Sequence, residues 1–558
     1  MLAERSPEEQ LKALADVYLA DVMAMSQPYA YYYDLELTRH DKFVNNTPAA
    51  LTESEALVDD LLAKLQAIDN ESLNSEQALV FYAKFKEALE TRVDQRVCKS
   101  ELWSISHMFG PHTLLDFLVT VQPLETEKNR SDALARWSAA ADYYKQEINN
   151  LKAGLKQGYS SPKRVVRRVV EQLRGLVETE IENHPYAKLN ERTDDEDFAK
   201  KFNSLLTKQL IPSISVYMNF LEKEYMSAAR EELGIHAIPN GRDCYMALYR
   251  LYTTLQKTPQ EVFDLGLETV NANKKNVLKL GKEIYGVDTF YSAVKMASED
   301  ATQKFNDSES MHEFYVDVVE RSKAVMPNYF AKMPSIQMDV EPIPEYQQGT
   351  GRSAHYITGG KDRNAKFRYD PLTYIGENFG SAEIVSVHEG YPGHHLQIAL
   401  VQDQTKFHPL ESLFSNSAFA EGWARYAEAL SEEAGIYKSK SARIIRRAWP
   451  ARGMVADTAL HVLGWSNDKV AKFLKASGAS YAQNTDSVLD RMAAIPAQLT
   501  AYDSGALEIF ALRAEMEAAY GKDFDIKAFH DLILKNGNVP MAVLRKQVMN
   551  AIDKSKSE

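Results

Sequence analysis

Helix start signals recur along the first 325 residues and constrain the fold more than any other feature of this sequence. Ser6 precedes a proline and two glutamates, and the segment TPQE at 258–261 combines a capping threonine, a proline and a glutamate that can close a capping box. Thr52 with Glu55 has the spacing of a further capping box. Apolar residues recur at helical spacing after each signal. The sequence therefore predicts helix after helix from residue 6 to about residue 325.

The composition changes between residues 326 and 380, where prolines and glycines bracket short extended runs. The runs at 336–340 and 355–358 predict strands, and we expect a small sheet here. An exposed edge strand can pair with an extended peptide through its backbone, which makes the segment around Tyr356 a candidate substrate-binding edge. A purely structural hairpin is the alternative interpretation.

Composition excludes some classes of protein. The chain has 558 residues, 45% of them hydrophobic, and a net charge of −13 with scattered basic residues, which argues against nucleic acid and anionic lipid as partners. It contains no apolar run of about 18 residues and no signal-peptide pattern at its start, so no transmembrane segment is expected. Cys98 and Cys244 are its two cysteines. One disulfide would be possible, but we predict two buried thiols.

The sequence HEGYPGHHLQ at 388–397 carries the parts of a zinc hydrolase of the HExxH kind, but with different spacing. His394 stands six residues after His388, and a regular helix would turn it about 120° away. Pro392 and Gly393 interrupt such a helix, so we predict a bulge over 390–393. His394 then becomes the second metal ligand, and His395 turns toward supporting contacts or the core. A ligand role for His395 is the alternative.

Carboxylates complete the predicted metal site. Glu389 follows the first histidine, in the position of a general base that takes a proton from water. Glu421 comes 27 residues after His394, far enough for a second helix to pack against the first, and it is the predicted third ligand. Glu428 lies on the same helix face as Glu421, as a supporting group or an alternative ligand. Two imidazoles and one carboxylate with an open position favour one Zn²⁺ ion.

Further polar residues near the end of the chain are candidates for substrate contacts. Asp457 and His461 stand four residues apart, so the carboxylate can orient the imidazole. His461 and Tyr502 are the predicted donors to the oxyanion of a tetrahedral intermediate, with a packing pair as the alternative for the first two. Arg452 and Arg491 could receive a substrate carboxylate, and structural salt bridges are the alternative.

The motifs HEGYPGHHLQ and AEGWARYAEAL (420–430) resemble the bacterial domain-of-unknown-function 885 family, which is grouped with the gluzincin metallopeptidases. The pair Gly393-His394 is also similar to the metal helices of thimet oligopeptidase and angiotensin-converting enzyme, which favours His394 as ligand. The resemblance implies a large multi-helical architecture with a deep cleft and a small sheet beside the metal helix. It also implies short peptide substrates and a periplasmic or lipid-anchored location. The likeness continues through other segments: 238–241, 252–254, 258–261, 457–461, 464–465 and 491–505.

The combined prediction is a mainly α-helical, zinc-dependent peptidase that hydrolyses short peptides with Glu389 as general base. Residues 1–325 form an N-terminal helical portion and residues 326–558 a catalytic portion, in one continuous structural unit. Two alternatives stay open: a metal-dependent hydrolase of non-peptide amides or esters, and a non-catalytic zinc-binding envelope protein. We interpret the aromatic clusters at 29–33 and 143–144 as core packing, with a ligand platform as the alternative.

Overall fold

A computed structural model of the chain describes residues 5–33, 35–344, 348, 354–360, 363–478 and 484–557. The described residues are mainly helical, with one small sheet, as predicted. They form two compact units. The first comprises Met1–Ala247, Phe407–Phe414 and Leu489–Pro496, and the second comprises Leu248–Lys406, Ser415–Val488 and Ala497–Glu558. The predicted boundary after residue 325 lies within the second unit. The assignment of catalysis to residues 326–558 stays a prediction.

The helices that begin in the first unit enclose a core of buried aromatic and aliphatic side chains. Ser6 caps the first helix, as predicted, and also forms a capping box with Glu9. The second helix begins earlier than predicted, at Pro48 with Thr47 as its cap, and the hydroxyl of Thr52 donates to the carbonyl of Pro48 inside the helix. The predicted box of Thr52 is therefore wrong, because the cap five residues earlier starts the helix. These helices are α1 Pro7–Ser26, α2 Pro48–Gln66, α3 Glu76–Gln95, α4 Pro111–Val121, α5 Glu127–Lys156, α6 Lys163–Glu178, α7 Glu196–Leu205, α8 Ile211–Phe220, α9 Met226–Ala228 and α10 Gly241–Thr253.

A disulfide joins Cys98 to Cys244 within the first unit. The Cα atoms of the two residues are 4.6 Å apart although 146 positions separate them in sequence. The prediction of two buried thiols is therefore wrong. Burial was foreseen correctly, since both residues are at most 1% exposed. Their pairing depends on how α10 folds back against residues 96–98, and sequence spacing carries no signal for that.

The remaining helices begin in the second unit, and the first of them starts with the predicted capping box of Thr258 and Glu261. Helices α16 and α21 pack so closely that a Cβ atom on Gly505 would lie 1.8 Å from the carbonyl oxygen of Ala418. None of the described helices is both long and apolar enough to cross a membrane. The helices are α11 Pro259–Tyr285, α12 Phe290–Glu299, α13 Ser308–Val325, α14 Phe379–Glu389, α15 His394–Gln402, α16 Ser417–Glu433, α17 Ala442–Ala448, α18 Arg452–His461, α19 Asn467–Lys475, α20 Thr485–Ala494, α21 Gln498–Tyr520, α22 Ile526–Leu534 and α23 Met541–Ser557.

The sheet has three described strands, β1 Met338–Pro342, β2 His355–Ile357 and β3 Ala365–Tyr369, in the order β1-β3-β2. Strand β3 pairs in parallel with β1 and antiparallel with β2. The two predicted strands are present, but the central strand β3 was missed. Its residues alternate between buried and half-buried positions, which is the pattern of a strand with one face on the core.

Candidate metal centre

The chain breaks between α14 and α15, at the predicted position. Helix α14 ends at Glu389, and α15 begins at His394. Gly393 allows this break, because a Cβ atom there would lie 1.9 Å from the carbonyl oxygen of His388. The indole of Trp423 donates to the carbonyl of Pro392 at 2.8 Å and holds the turn against α16. The Tyr391–Pro392 peptide bond is cis.

The break brings together the three predicted ligands His388, His394 and Glu421. One nitrogen or oxygen from each lies within 4.8 Å of the others. Glu421 Oε2 is 3.4 Å from His388 Nε2 and 3.5 Å from His394 Nε2. Ligands about 2.1 Å from a tetrahedral ion lie about 3.4 Å apart. Glu421 is therefore as far from each imidazole nitrogen as one ligand of a tetrahedral ion is from another.

The charges of the carboxylates and imidazoles at this site shift one another's pKa values. Burial alone would raise the pKa of Glu421, but the facing imidazoles of His388 and His394 hold it well below its usual range. Burial alone would lower the pKa of His388, but Glu421 and Glu428 raise it to about 10. Glu421 Oε2 is buried and has no hydrogen-bond partner among the described residues. A buried acceptor without a donor is one that a cation can satisfy.

Glu428 lies behind His388. Its Oε1 is 2.8 Å from His388 Nδ1, so that nitrogen carries the proton and Nε2 faces Glu421. Arg425 donates to both carboxylate oxygens of Glu428, at 3.0 and 3.2 Å. The ring of Tyr502 lies 5.7 Å from the Arg425 guanidinium, which places this predicted oxyanion donor next to the Arg425–Glu428 pair. The structure thus gives Glu428 the supporting position.

Glu389 is also buried, with 8% of its surface exposed. Burial raises the pKa of its carboxyl, and the imidazoles of His394 and His388 moderate that rise. The backbone of Tyr356, in strand β2, lies close enough to the Glu389 carboxylate to lower its pKa slightly. A carboxylate with a raised pKa beside two imidazoles is suited to accept and return a proton.

His395 is turned to the other side of α15 and is fully buried. Its Nε2 is 3.0 Å from the hydroxyl of Tyr391, and its Nδ1 is 3.2 Å from the hydroxyl of Tyr356. Burial lowers the pKa of His395 to about 4. Both ring nitrogens are engaged, so this geometry does not support His395 as a ligand. The sequence analysis missed Tyr391, whose position one turn before His395 is the signal that could have identified it.

The remaining predicted residues lie in helices α18 and α20. Asp457 and His461 are fully buried in α18, and Asp457 accepts a hydrogen bond from the backbone N–H of Ala497 at 2.8 Å. Arg452 is 1% exposed and donates to three backbone carbonyls, so these contacts account for it as a structural residue. Arg491 lies in the part of α20 that belongs to the first unit. The substrate and oxyanion roles predicted for these residues stay predictions.

Residues 30–548 match the model of a family described as bacterial protein of unknown function (DUF885). The chain belongs to this family. A protein from Colwellia psychrerythraea, described as a putative lipoprotein, has a similar structure with a TM-score of 0.89 and 21% identity, over 98% of this chain and 100% of that one. A putative lipoprotein of unknown function from Shewanella oneidensis matches with a TM-score of 0.75 and 18% identity, over 96% and 99% of the two chains. At these identities the likeness concerns the fold alone. No curated protein matches the DUF885 chain.

Proposed function

We propose that this DUF885 protein is a zinc-dependent peptidase that hydrolyses short peptides. The observation that carries the proposal is the spacing of His388, His394 and Glu421, whose ligand atoms lie within 4.8 Å of one another. The combination of two nitrogens and one oxygen is the usual donor set of hydrolytic zinc sites. Glu428 supports the assignment, because metal-binding histidines usually donate their other N–H to a carboxylate or carbonyl.

Zinc bound by these three residues would act as a Lewis acid toward a scissile carbonyl and toward water. Glu389 accepts the proton of the attacking water on its carboxylate and returns it to the leaving amine. Burial raises the pKa of this carboxyl, which favours both accepting the proton and returning it. The backbone of Tyr356 lies beside the Glu389 carboxylate, and Tyr502 and His461 are our candidates for stabilising the oxyanion.

The edge strand β2 supports peptides as the substrate class. It has one neighbour, β3, among the described strands, and it contacts the general base through Tyr356. An extended peptide paired with such an edge would be held by its backbone, with little dependence on its sequence. A gluzincin-like architecture with a deep cleft is part of this proposal, on the strength of the motif resemblance.

We place the protein in the cell envelope, in the periplasm or attached to it by a lipid. Two structural neighbours are described as putative lipoproteins. The Cys98–Cys244 disulfide is an independent argument, because disulfides persist in oxidising compartments such as the bacterial periplasm.

The test is hydrolysis of a mixed short-peptide library by zinc-loaded wild type and by Glu389→Gln, with products read by mass spectrometry. We expect cleavage by the wild type, at least 100-fold slower cleavage by the variant, and equal zinc content in both. Glu433→Gln, on α16 with its side chain 48% exposed, is the control and should cleave normally. Zinc binding without peptide cleavage by either protein would contradict the peptidase and favour a non-peptide amide or ester substrate, or a binding role.

A further inference from the structure

A cavity of about 100 Å³ lies within the first unit. All the residues that line it belong to that unit, whereas all residues of the metal centre belong to the second. A single water needs roughly 10–15 Å³, so the cavity holds several waters or a small organic group. Its lining includes Tyr29 and Phe109, which are 39% and 68% exposed, so it opens to the surface.

Glu147 of α5 lines this cavity and is only 7% exposed. Its carboxylate accepts a hydrogen bond from the side-chain amide of Asn46 at 2.8 Å, and the nearby hydroxyl of Tyr143 lowers its pKa slightly. The described lining contains no lysine or arginine. Burial raises the pKa of Glu147 to about 7, because no cation compensates the lost hydration of its charge.

His112 of α4 supplies a second buried acceptor on the cavity wall, at 3% exposure. The amide nitrogen of Gln172 donates to the carbonyl of His107 at 3.1 Å, which leaves the amide oxygen facing His112 Nε2 at 3.0 Å. Nε2 must therefore carry the proton, and Nδ1 presents a lone pair. Nδ1 has no hydrogen-bond partner among the described residues.

Aromatic side chains line the same cavity. Phe43 and Tyr143 line the cavity with their rings at 84° and their centroids 5.5 Å apart, and Tyr217 of α8 adds a third ring. Aromatic faces attract cations through the ring quadrupole, and such cages are typical of ammonium sites. A buried carboxyl and several aromatic rings thus line a cavity whose described lining supplies no lysine or arginine.

We propose that this cavity binds the protonated amino group of a small amine or of a peptide N-terminus. The ammonium donates to Glu147, while its first carbons pack against Phe43 and Tyr143. The inference does not rest on the metal centre or on peptidase activity, since the two sites share no residue.

The test is isothermal titration of the full-length protein at pH 8 with butylamine, and with butanol as the neutral analogue. We expect 1:1 binding of butylamine, at least tenfold weaker binding of butanol, and at least tenfold weaker binding of butylamine to Glu147→Gln. The control Glu224→Gln, whose side chain is 61% exposed, should bind like the wild type. Equal binding of butanol, or unchanged binding by Glu147→Gln, would overturn the proposal.

Triglycine and N-acetyl-triglycine distinguish the two sources of the ammonium. These peptides are titrated into Glu389→Gln, so that the metal centre does not consume them. A triglycine signal that acetylation and added Glu147→Gln both remove assigns the site to peptide N-termini, and binding of butylamine without that signal assigns it to free amines. Absence of binding by all amines would overturn the proposal.

A wild-type measurement keeps the test valid if Glu147→Gln does not fold. The affinity for butylamine should fall about tenfold from pH 8 to pH 6, because Glu147 must ionise to pair with the ammonium. Burial lowers the pKa of His112 to about 4 and raises the pKa values of the tyrosines around Glu147, which are Tyr29, Tyr143, Tyr144, Tyr217 and Tyr225, so none of these groups titrates in this range. Asp116 of α4, whose pKa burial raises to about 6, does not line the cavity, and Asp116→Asn is the control that should keep the pH dependence. An affinity that is constant between these pH values would contradict the ammonium–carboxylate contact.

Discussion

At the residue scale, the pair of Glu428 and His388 determines which imidazole nitrogen is available for a metal. With Nδ1 donating to a carboxylate that is 1% exposed, Nε2 is left unprotonated in the metal-binding form and points to Glu421. The sequence analysis placed Glu428 on the right helix face from its spacing alone. It could not establish the contact, because that depends on how α16 lies against α14.

Replacing Glu428 with alanine should weaken zinc binding by 10–100-fold, because His388 loses the group that fixes its tautomer and ring orientation. Competition with a chelator of known affinity measures the change. Glu433→Ala, on the solvent side of the same helix, is the matched control and should bind like the wild type. Equal zinc affinity in both variants would contradict the supporting role of Glu428.

Glu147 should make stability depend on pH. The pKa of its carboxyl is about 7 in the folded chain, against 4.5 for the free side chain. Between these values the folded state holds a proton that the unfolded state has lost. The free energy of unfolding therefore falls as pH rises through this window, by up to about 3 kcal/mol.

Urea unfolding of the wild type and Glu147→Gln at pH 5 and pH 8 measures this dependence. Glutamine keeps the shape of the side chain without its charge, so the variant should lose the part of the pH dependence that Glu147 causes. From pH 5 to pH 8, its free energy of unfolding should therefore fall less than that of the wild type. The surface variant Glu224→Gln should behave like the wild type. The same pH dependence in Glu147→Gln and wild type would contradict the shifted pKa.

At the element scale, the turn between α14 and α15 is the feature that lets an irregular motif assemble a regular metal site. Pro392 and Gly393 predicted the interruption because one cannot donate in a helix and the other permits unusual dihedrals. The capping box at the start of α11 could be predicted equally well from the sequence. The start of α2 could not, because Thr47 offers a competing cap before Thr52. Strand β3 could not, because its alternation covers only five residues.

Gly393→Ala should disrupt this turn. The new methyl group would lie 1.9 Å from the His388 carbonyl oxygen, so the backbone must move and His394 with it. We expect at least a tenfold loss of zinc affinity and a destabilisation of more than about 2 kcal/mol. Gly376→Ala is the matched control, because its Cβ would meet no atom within 4 Å. Zinc binding by Gly393→Ala equal to that of the control would show that the close approach is unimportant.

At the scale of the whole molecule, a helical chain with a small sheet was predictable from caps, periodicity and the Pro/Gly-rich segment. The contacts that link distant parts of the sequence were not. Cys98 and Cys244 show this most clearly, since their burial followed from residue type but their pairing required the folded chain.

The disulfide should stabilise the protein by about 2–5 kcal/mol, because it closes a long loop and restricts the unfolded chain. A double variant, Cys98→Ala with Cys244→Ala, should unfold at lower urea concentration than the oxidised wild type. Dithiothreitol should lower the midpoint of the wild type and leave the double variant unchanged. Equal midpoints for oxidised wild type and double variant would contradict a stabilising bridge.

The central claim is that His388, His394 and Glu421 hold one zinc ion, and anomalous diffraction from zinc-soaked crystals tests it most directly. The account predicts a single strong peak about 2.0–2.2 Å from Nε2 of both histidines and from a Glu421 oxygen. A peak coordinated by His395 instead, or no peak at this group in crystals that contain zinc, would contradict it.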